Sequence, residues 1–265
     1  MQSSSDSVVC AEVRESIAIL SLNRPARSNA WGPDMSAALL SQLERIENDQ
    51  SIRACVITGH GQRSFSSGVD VDKKQASQET IDSTMHQRRD STPAVFAALL
   101  SLDKPVVAAV NGYAIGAGFL LALSCDVILA SQNASFALPQ VSLGILPAYG
   151  GMPRLAQWIG RGRAMEFALS GRRMPSDEAR QIGLLSGLSA PEDLLFDAVT
   201  LAEQLGRLPS LAFRAAKESM NVALESGGIS ASALADRYRS VCLQATDETR
   251  NAQTVWREQA AARKS

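Results

Sequence analysis

At 265 residues, with 45% of them hydrophobic, the chain has material for one large core or for a core with a smaller appendage. Its 26 basic and 27 acidic residues are mixed along the chain and leave a formal net charge of -1, which argues against a basic face for nucleic acid. Four scattered cysteines without C-x-x-C spacing and two histidines, His60 and His86, argue against a disulfide framework and a zinc site; the polar start MQSSSDSVV and the lack of a long apolar run point to a cytoplasmic protein without membrane contact.

Alternating apolar and polar residues from Val8 to Leu22 predict two short strands about Glu15-Ser16, and Asn23-Arg24-Pro25 breaks the pattern. Behind a Pro-Asp start, Met35, Leu39, Leu43 and Ile46 fall on one face at helical spacing, which predicts an amphipathic helix from Pro33 to about Asn48. Arg53 to Thr58 is a strand ending in Gly59-His60-Gly61, and Phe65 to Asp70 is a second small-residue bend. Residues 72–91 are polar and read as a loop, Pro93 to Leu102 as a helix.

The stretch from Pro105 to Leu155 holds the densest signal. Val106 to Val110 is a short apolar strand, Asn111-Gly112 a turn, and Gly116-Ala117-Gly118 opens an apolar helix to about Ser124. Glycines at such a bend let a ligand approach the backbone, and the first N–H groups of the helix have no intrahelical partner. Two readings stay open here: an anion or oxyanion site, or a turn whose glycines serve packing. Asp126 to Ala130 adds a strand, with Asp126 as a buried cap at its start. Helices follow at Gly162–Leu169, at Ser176–Ile182 with Ser176 as N-cap and Gly183 as stop, at Pro191–Leu205, at Ser210–Glu225 and from Ser230 to about Arg263 with a break near Thr246-Asp247. Gly116-x-Gly118 fails the dinucleotide fingerprint because Leu121 stands at the third small position, no P-loop occurs, and Phe65 breaks a nucleophile elbow about Ser67.

Asn23-Arg24-Pro25 with Asn29-Ala30, then VITGHGQRSFSSGVD, KPVVAAVNGYAIGAG, CDVILA, LGILPAYGG and GLLSGL, in this order over almost the whole chain, resemble the crotonase superfamily of enoyl-CoA hydratase/isomerase proteins. The resemblance implies an α/β fold, a crotonase-like spiral of repeated β-β-α units over residues 1–190 with a C-terminal helical trimerisation region over 191–265. It further implies an enzyme acting on an acyl-CoA thioester, assembled as a homotrimer or a dimer of trimers, with coenzyme A present only as part of the substrate and no other cofactor. By the same resemblance the backbone N–H groups of Val69 and Ala117 would form the oxyanion hole, and coenzyme A would lie along Asn23 to Ala30 and the bend of Ser66 to Asp72. Ser67, Gly68, Asp70 and Gly116 would shape the ligand-binding bends, and Arg27 and Lys73 would meet phosphates, a role weighed against that of plain solvated charges.

The chain departs from the family where hydratases carry two catalytic glutamates. The matching positions are Leu120 and Gln140, neither of which exchanges a proton at neutral pH, and a third acidic position of some relatives matches Ala148 or Pro147. His86, in the charged run with Arg88, Arg89 and Asp90, is the replacement acid/base to weigh against a solvated loop histidine. Tyr149 reads as a wall residue. The expectation is thioester oxyanion or enolate stabilisation without the standard two-glutamate hydration, with isomerase, hydrolase or lyase chemistry open; the other reading is acyl-CoA binding without turnover.

Overall fold

The computed structural model describes residues 7–69, 92–226 and 239–262, and in it the alternating N-terminal pattern becomes an antiparallel pair, β1 (Val9–Arg14) and β2 (Ile17–Leu22). The pair turns at Glu15, whose φ is 52°. Beyond β2 the sheet is parallel: β3 (Ala54–Gly59), β5 (Val106–Val110), β7 (Val127–Ser131) and β10 (Gly187–Ser189) follow in the order β1-β2-β3-β5-β7-β10. Every residue of β3 and β5 is buried, as expected of parallel strands covered on both faces.

A second sheet runs β4 (Ser64–Ser66), β6 (Tyr113–Ile115), β8 (Ser135–Ala137) and β9 (Arg173–Pro175), parallel except for its last pair. Twice a long strand is followed by a short one in the other sheet and then by a helix: β3 and β4 precede α2 (Thr92–Ser101), and β5 and β6 precede α3 (Ala117–Leu123). This is the repeated β-β-α path that the resemblance implies. None of β4, β6, β8 or β9 was foreseen. Three residues are too few to display a period, and Tyr113-Ala114-Ile115 reads as part of a turn until its partners are known.

Helix α1 (Pro33–Asn48) falls on the predicted residues and buries Met35, Leu39, Leu43 and Ile46. Proline at its first position needs no N–H partner there, and Asp34 lies in the first turn. At its other end the Lys104 ammonium donates to the carbonyls of Ile46, Glu47 and Asp49, satisfying acceptors that the helix leaves open. Burial pulls the Lys104 ammonium below its usual range, against the opposing pull of Glu47 and Asp49.

Helix α4 (Gly151–Ile159), missed in the sequence, buries Leu155 and Ile159, while Trp158 Nε1 donates to Leu123 O at 3.2 Å. It is followed by α5 (Arg161–Ser170) and α6 (Ser176–Gln181). Ser176 is not the N-cap of α6: Pro175 holds that position, and the Ser176 hydroxyl donates instead to Gln132 O at 2.7 Å, tying the helix to the turn after β7. Asp126, half-buried, accepts from Val106 N at 2.8 Å and so fixes the start of β5 as well as of β7.

The chain divides into two compact units, residues 1–205 and 206–265. The boundary lies later than residue 190 because α7 (Leu194–Gly206) lays Leu194, Ala198 and Ala202 on the face of the large sheet formed by Ile17, Ile19, Val56, Val107 and Leu129. In the second unit, α8 (Ser210–Ser226) begins where Glu248 accepts from Ser210 N at 2.6 Å, and Glu248 itself stands in the first turn of α9 (Asp247–Ala262). The break before α9 is fixed by Thr246, whose hydroxyl accepts from Thr249 N at 3.2 Å.

Candidate active site

Two bends interlock at the meeting of the sheets. The first follows β4, with Ser66-Gly68 at its centre; the second joins β6 to α3 through Gly116. Gly118 explains the closeness of the approach, since a Cβ there would stand 2.4 Å from Ser66 O and 2.6 Å from Ser66 Cβ. Gly68, at φ +83°, has room for no side chain either: its Cβ would meet Ile115 O at 2.6 Å and Ala117 N at 3.2 Å. Gly116 adopts φ 54° and ψ -120°, a conformation that only glycine takes without strain.

The first bend is anchored from the opposite side by the loop after β2. Ser67 N donates to Ser28 O at 2.9 Å and Trp31 N to Gly68 O at 2.7 Å. Behind that loop Asn29, buried and at φ 54°, accepts from Arg24 N and donates from Nδ2 to Ser64 O at 2.7 Å and His60 O at 3.0 Å. Asn111 performs the matching task, accepting from Gly59 N at 3.1 Å and donating to Gly61 O at 2.6 Å. The sequence offers Asn111 only as a turn residue and Asn29 only as part of the Asn29-Ala30 motif in the stretch expected to lie along coenzyme A. Their role as buried staples of the 59–64 loop appears once the loop ends are seen together.

Of the residues singled out, Val69 is exposed and Ala117 is buried, and the Gly68–Ala117 approach brings their bends together. Among the described residues neither N–H is taken up by a hydrogen bond. Leu120 is buried one turn along α3, its methyl carbons against Gly151, where a Cβ would meet them at 2.7 and 3.1 Å. Gln140 leads into the single turn of Val141–Leu143, and its amide lies over Gly116. Its Oε1 is buried and has no hydrogen-bond partner among the described residues. Arg27 is exposed in the turn after β2. Asp70, Lys73 and His86, with Arg88, Arg89 and Asp90, lie outside the described residues.

Tyr149 stacks on Phe96 with ring centroids 5.2 Å apart, and Phe96 stacks on Trp31 at 6.1 Å, so an aromatic wall links the Val69 bend to the loop before α4. Tyr149 also holds φ at 57°, outside the usual range for a non-glycine residue. The sequence reading of Tyr149 as a wall residue matches this stack; the part of Trp31 and Phe96 was not foreseen. Among the described residues no group of three or more His, Cys, Asp or Glu side chains is placed to hold a metal ion, and no helix is long and apolar enough to cross a membrane.

Comparison with known proteins bears on this arrangement. A 2,3-dehydroadipyl-CoA hydratase of Escherichia coli is 40% identical over 219 residues, covering 81% of this chain and 83% of its own. A short-chain-enoyl-CoA hydratase of Clostridium acetobutylicum is 32% identical over 250 residues, 94% of each chain. The crystal structure of an enoyl-CoA hydratase subunit I from Geobacillus kaustophilus superposes with a TM-score of 0.88 at 32% identity over 97% of both chains. The sequence model of the enoyl-CoA hydratase/isomerase family matches residues 12–263, which takes in both bends, both sheets and nearly all of the helical tail, and the chain is a member of that family, within the crotonase superfamily.

Proposed function

We propose that the two bends hold the carbonyl of an acyl-CoA thioester, with Val69 N–H and Ala117 N–H donating to its oxygen. The observation that carries this reading is the interlocking of the bends through Gly68, Gly116 and Gly118, which sets side by side two backbone donors not taken up by any hydrogen bond among the described residues. As negative charge gathers on the thioester oxygen in an enolate or a tetrahedral intermediate, two fixed donors contribute on the order of a few kcal/mol each. Ser67 and Gly68 shape the first bend, Arg27 meets a phosphate of coenzyme A, and Asp70 and Lys73 belong to the same ligand-binding stretch.

The reaction class follows from what stands beside that oxygen. Hydration of an enoyl thioester needs one group to take a proton from water and another to protonate the α-carbon; Leu120 has no polar atom, and the Gln140 amide neither gains nor loses a proton at neutral pH. We therefore assign isomerisation, thioester hydrolysis or a lyase reaction, with His86 the first acid/base candidate. Incubation with a panel of acyl-CoA thioesters, followed by mass spectrometry of the products, tests the assignment. Product from an acyl-CoA other than by simple hydration supports it; fast hydration of enoyl thioesters overturns it. The inert side chains at positions 120 and 140 also favour a second reading, a binding or assembly protein of the same fold, which predicts tight acyl-CoA binding with no product from any member of the panel.

A further inference from the structure

The oxygen of Gly68 and the N–H of Val69 belong to one peptide group. Peptide groups are planar and trans, and the described residues hold no cis bond, so this oxygen and this N–H point to opposite sides of the chain. Trp31 N donates to Gly68 O at 2.7 Å and thereby turns the Val69 N–H away from the 24–31 loop. From the same loop Ser28 O accepts from Ser67 N at 2.9 Å. The direction of the Val69 donor is therefore set by where Ser28 and Trp31 stand. A hydrogen bond on Gly68 O also polarises that peptide and strengthens its N–H as a donor.

Between Ser28 and Trp31 lies Asn29, 1% exposed. Ser28 and Asn29 both take left-handed backbone, at φ 52° and 54°, a region in which asparagine is enriched. The reversal is closed twice, because Asn29 N donates to Arg24 O and Arg24 N to Asn29 Oδ1, each at 2.9 Å. The other end of the amide crosses to a separate stretch of chain, where Nδ2 donates to Ser64 O at 2.7 Å and to His60 O at 3.0 Å. Ser64 opens β4, the strand that runs into the bend. One amide thus fixes both the loop that grips the Gly68–Val69 peptide and the strand that delivers it. Asn111 also reaches Ser64 O, at 3.4 Å, but its other bonds among the described residues go to Gly59 and Gly61, so it holds the strand without the grip.

We propose that Asn29 is a positioning residue: acting through Ser28 and Trp31, its side chain aims the Val69 N–H at the thioester oxygen. This rests on the acyl-CoA reading of the two bends. Infrared difference spectra of bound butyryl-CoA, labelled with carbon-13 at the thioester carbonyl, read the aim of the donors as a fall in the carbonyl stretching frequency. Asn29→Gly keeps the left-handed backbone and removes the amide; Asn29→Asp keeps the acceptor for Arg24 N and loses both Nδ2 donations. In each, about half of the parental frequency shift is expected to be lost, since one of two donors is turned aside while Ala117 stays in place. Ser176→Ala, which removes the hydrogen bond from Ser176 to Gln132 O on α6, serves as the stability control and is expected to keep the full shift. If Asn29→Gly does not fold, the near-isosteric aspartate variant carries the comparison. A parental shift in a folded Asn29 variant, or an equal loss in Ser176→Ala, overturns the proposal. If the parent itself gives no shift, the oxyanion reading of the bends fails and this one with it.

Discussion

Replacing Ala117 by proline removes the donor that the proposed mechanism requires at the thioester oxygen, whereas serine keeps the N–H. Ala117→Pro is therefore expected to lower acyl-CoA turnover by roughly 10² to 10³-fold, as loss of one oxyanion donor does elsewhere, and Ala117→Ser to leave most of it. Steady-state kinetics on a thioester found active in the panel, with a circular dichroism check of folding, decides the matter; a folded proline variant with parental activity sinks the assignment. At positions 120 and 140 the expectation runs the other way. The parent should hydrate crotonyl-CoA slowly, and Leu120→Glu with Gln140→Glu should raise the rate, since each positioned acid or base contributes about 10² to 10⁴-fold. Loss of absorbance of the conjugated thioester measures both. Leu120 is buried with its methyls against Gly151, so a glutamate there costs stability, and Gln140→Glu alone isolates the catalytic effect from the packing one. These two positions were legible as side chains that do no acid/base work. The contact of the Gln140 amide with Gly116 was not, because it is made across a bend between separate stretches of chain.

Interlocking of the bends is a property of α3 and β4 as elements. In Gly118→Ala the added methyl meets Ser66 at under 3 Å, so α3 has to move off β4; a loss of about 1 to 3 kcal/mol in urea denaturation is expected, together with weaker acyl-CoA binding. Unchanged binding in this variant would show that the spacing of the bends does not govern the ligand site. A second element-scale device is the guanidinium of Arg172, which forks to Glu166 from α5 and Glu178 from α6 and lies 5.7 Å from the centroid of Phe167. Its hydrogen bonds hold both carboxyls below their ordinary value of 4.5. The unfolded chain therefore takes up more protons below about pH 4.5, so the stability these pairs add is present above that value and is lost as pH falls through the lowered folded values. Arg172→Met should be less stable than the parent at pH 7, with the gap narrowing toward pH 3.5, as read from urea midpoints. Long elements such as α1, β3 and β5 were legible from periodicity and apolar runs. Helix α4 was hidden behind Gly150-Gly151, where the glycines suggest a loop although Leu155 and Ile159 keep helical spacing.

At the scale of the molecule, the helical second unit exposes Leu208, Leu211, Met220, Val241, Val255 and Trp256. So many apolar side chains in contact with water point to burial against other copies, and a homotrimer or dimer of trimers is expected; light scattering at micromolar concentration that gives a monomer would refute this. The family, the α/β class and the helical tail were all readable from motifs in order along the chain. The two-sheet layout was not, because pairing of three-residue strands is decided by the long strands between them. That layout has a consequence for synthesis. The chain visits the large sheet at β3, the small one at β4, the large at β5, the small at β6, the large at β7, the small at β8 and β9, and the large again at β10. No contiguous stretch of the first unit completes the second sheet without leaving the first unfinished, and the last strand of the large sheet, Gly187–Ser189, arrives after about seven tenths of the polypeptide has been made. A nascent chain emerging from the ribosome therefore carries β7 with one edge unpaired from the completion of Ser131 until Gly187 has been made, and its dependence on holding factors during that interval is set by strand order.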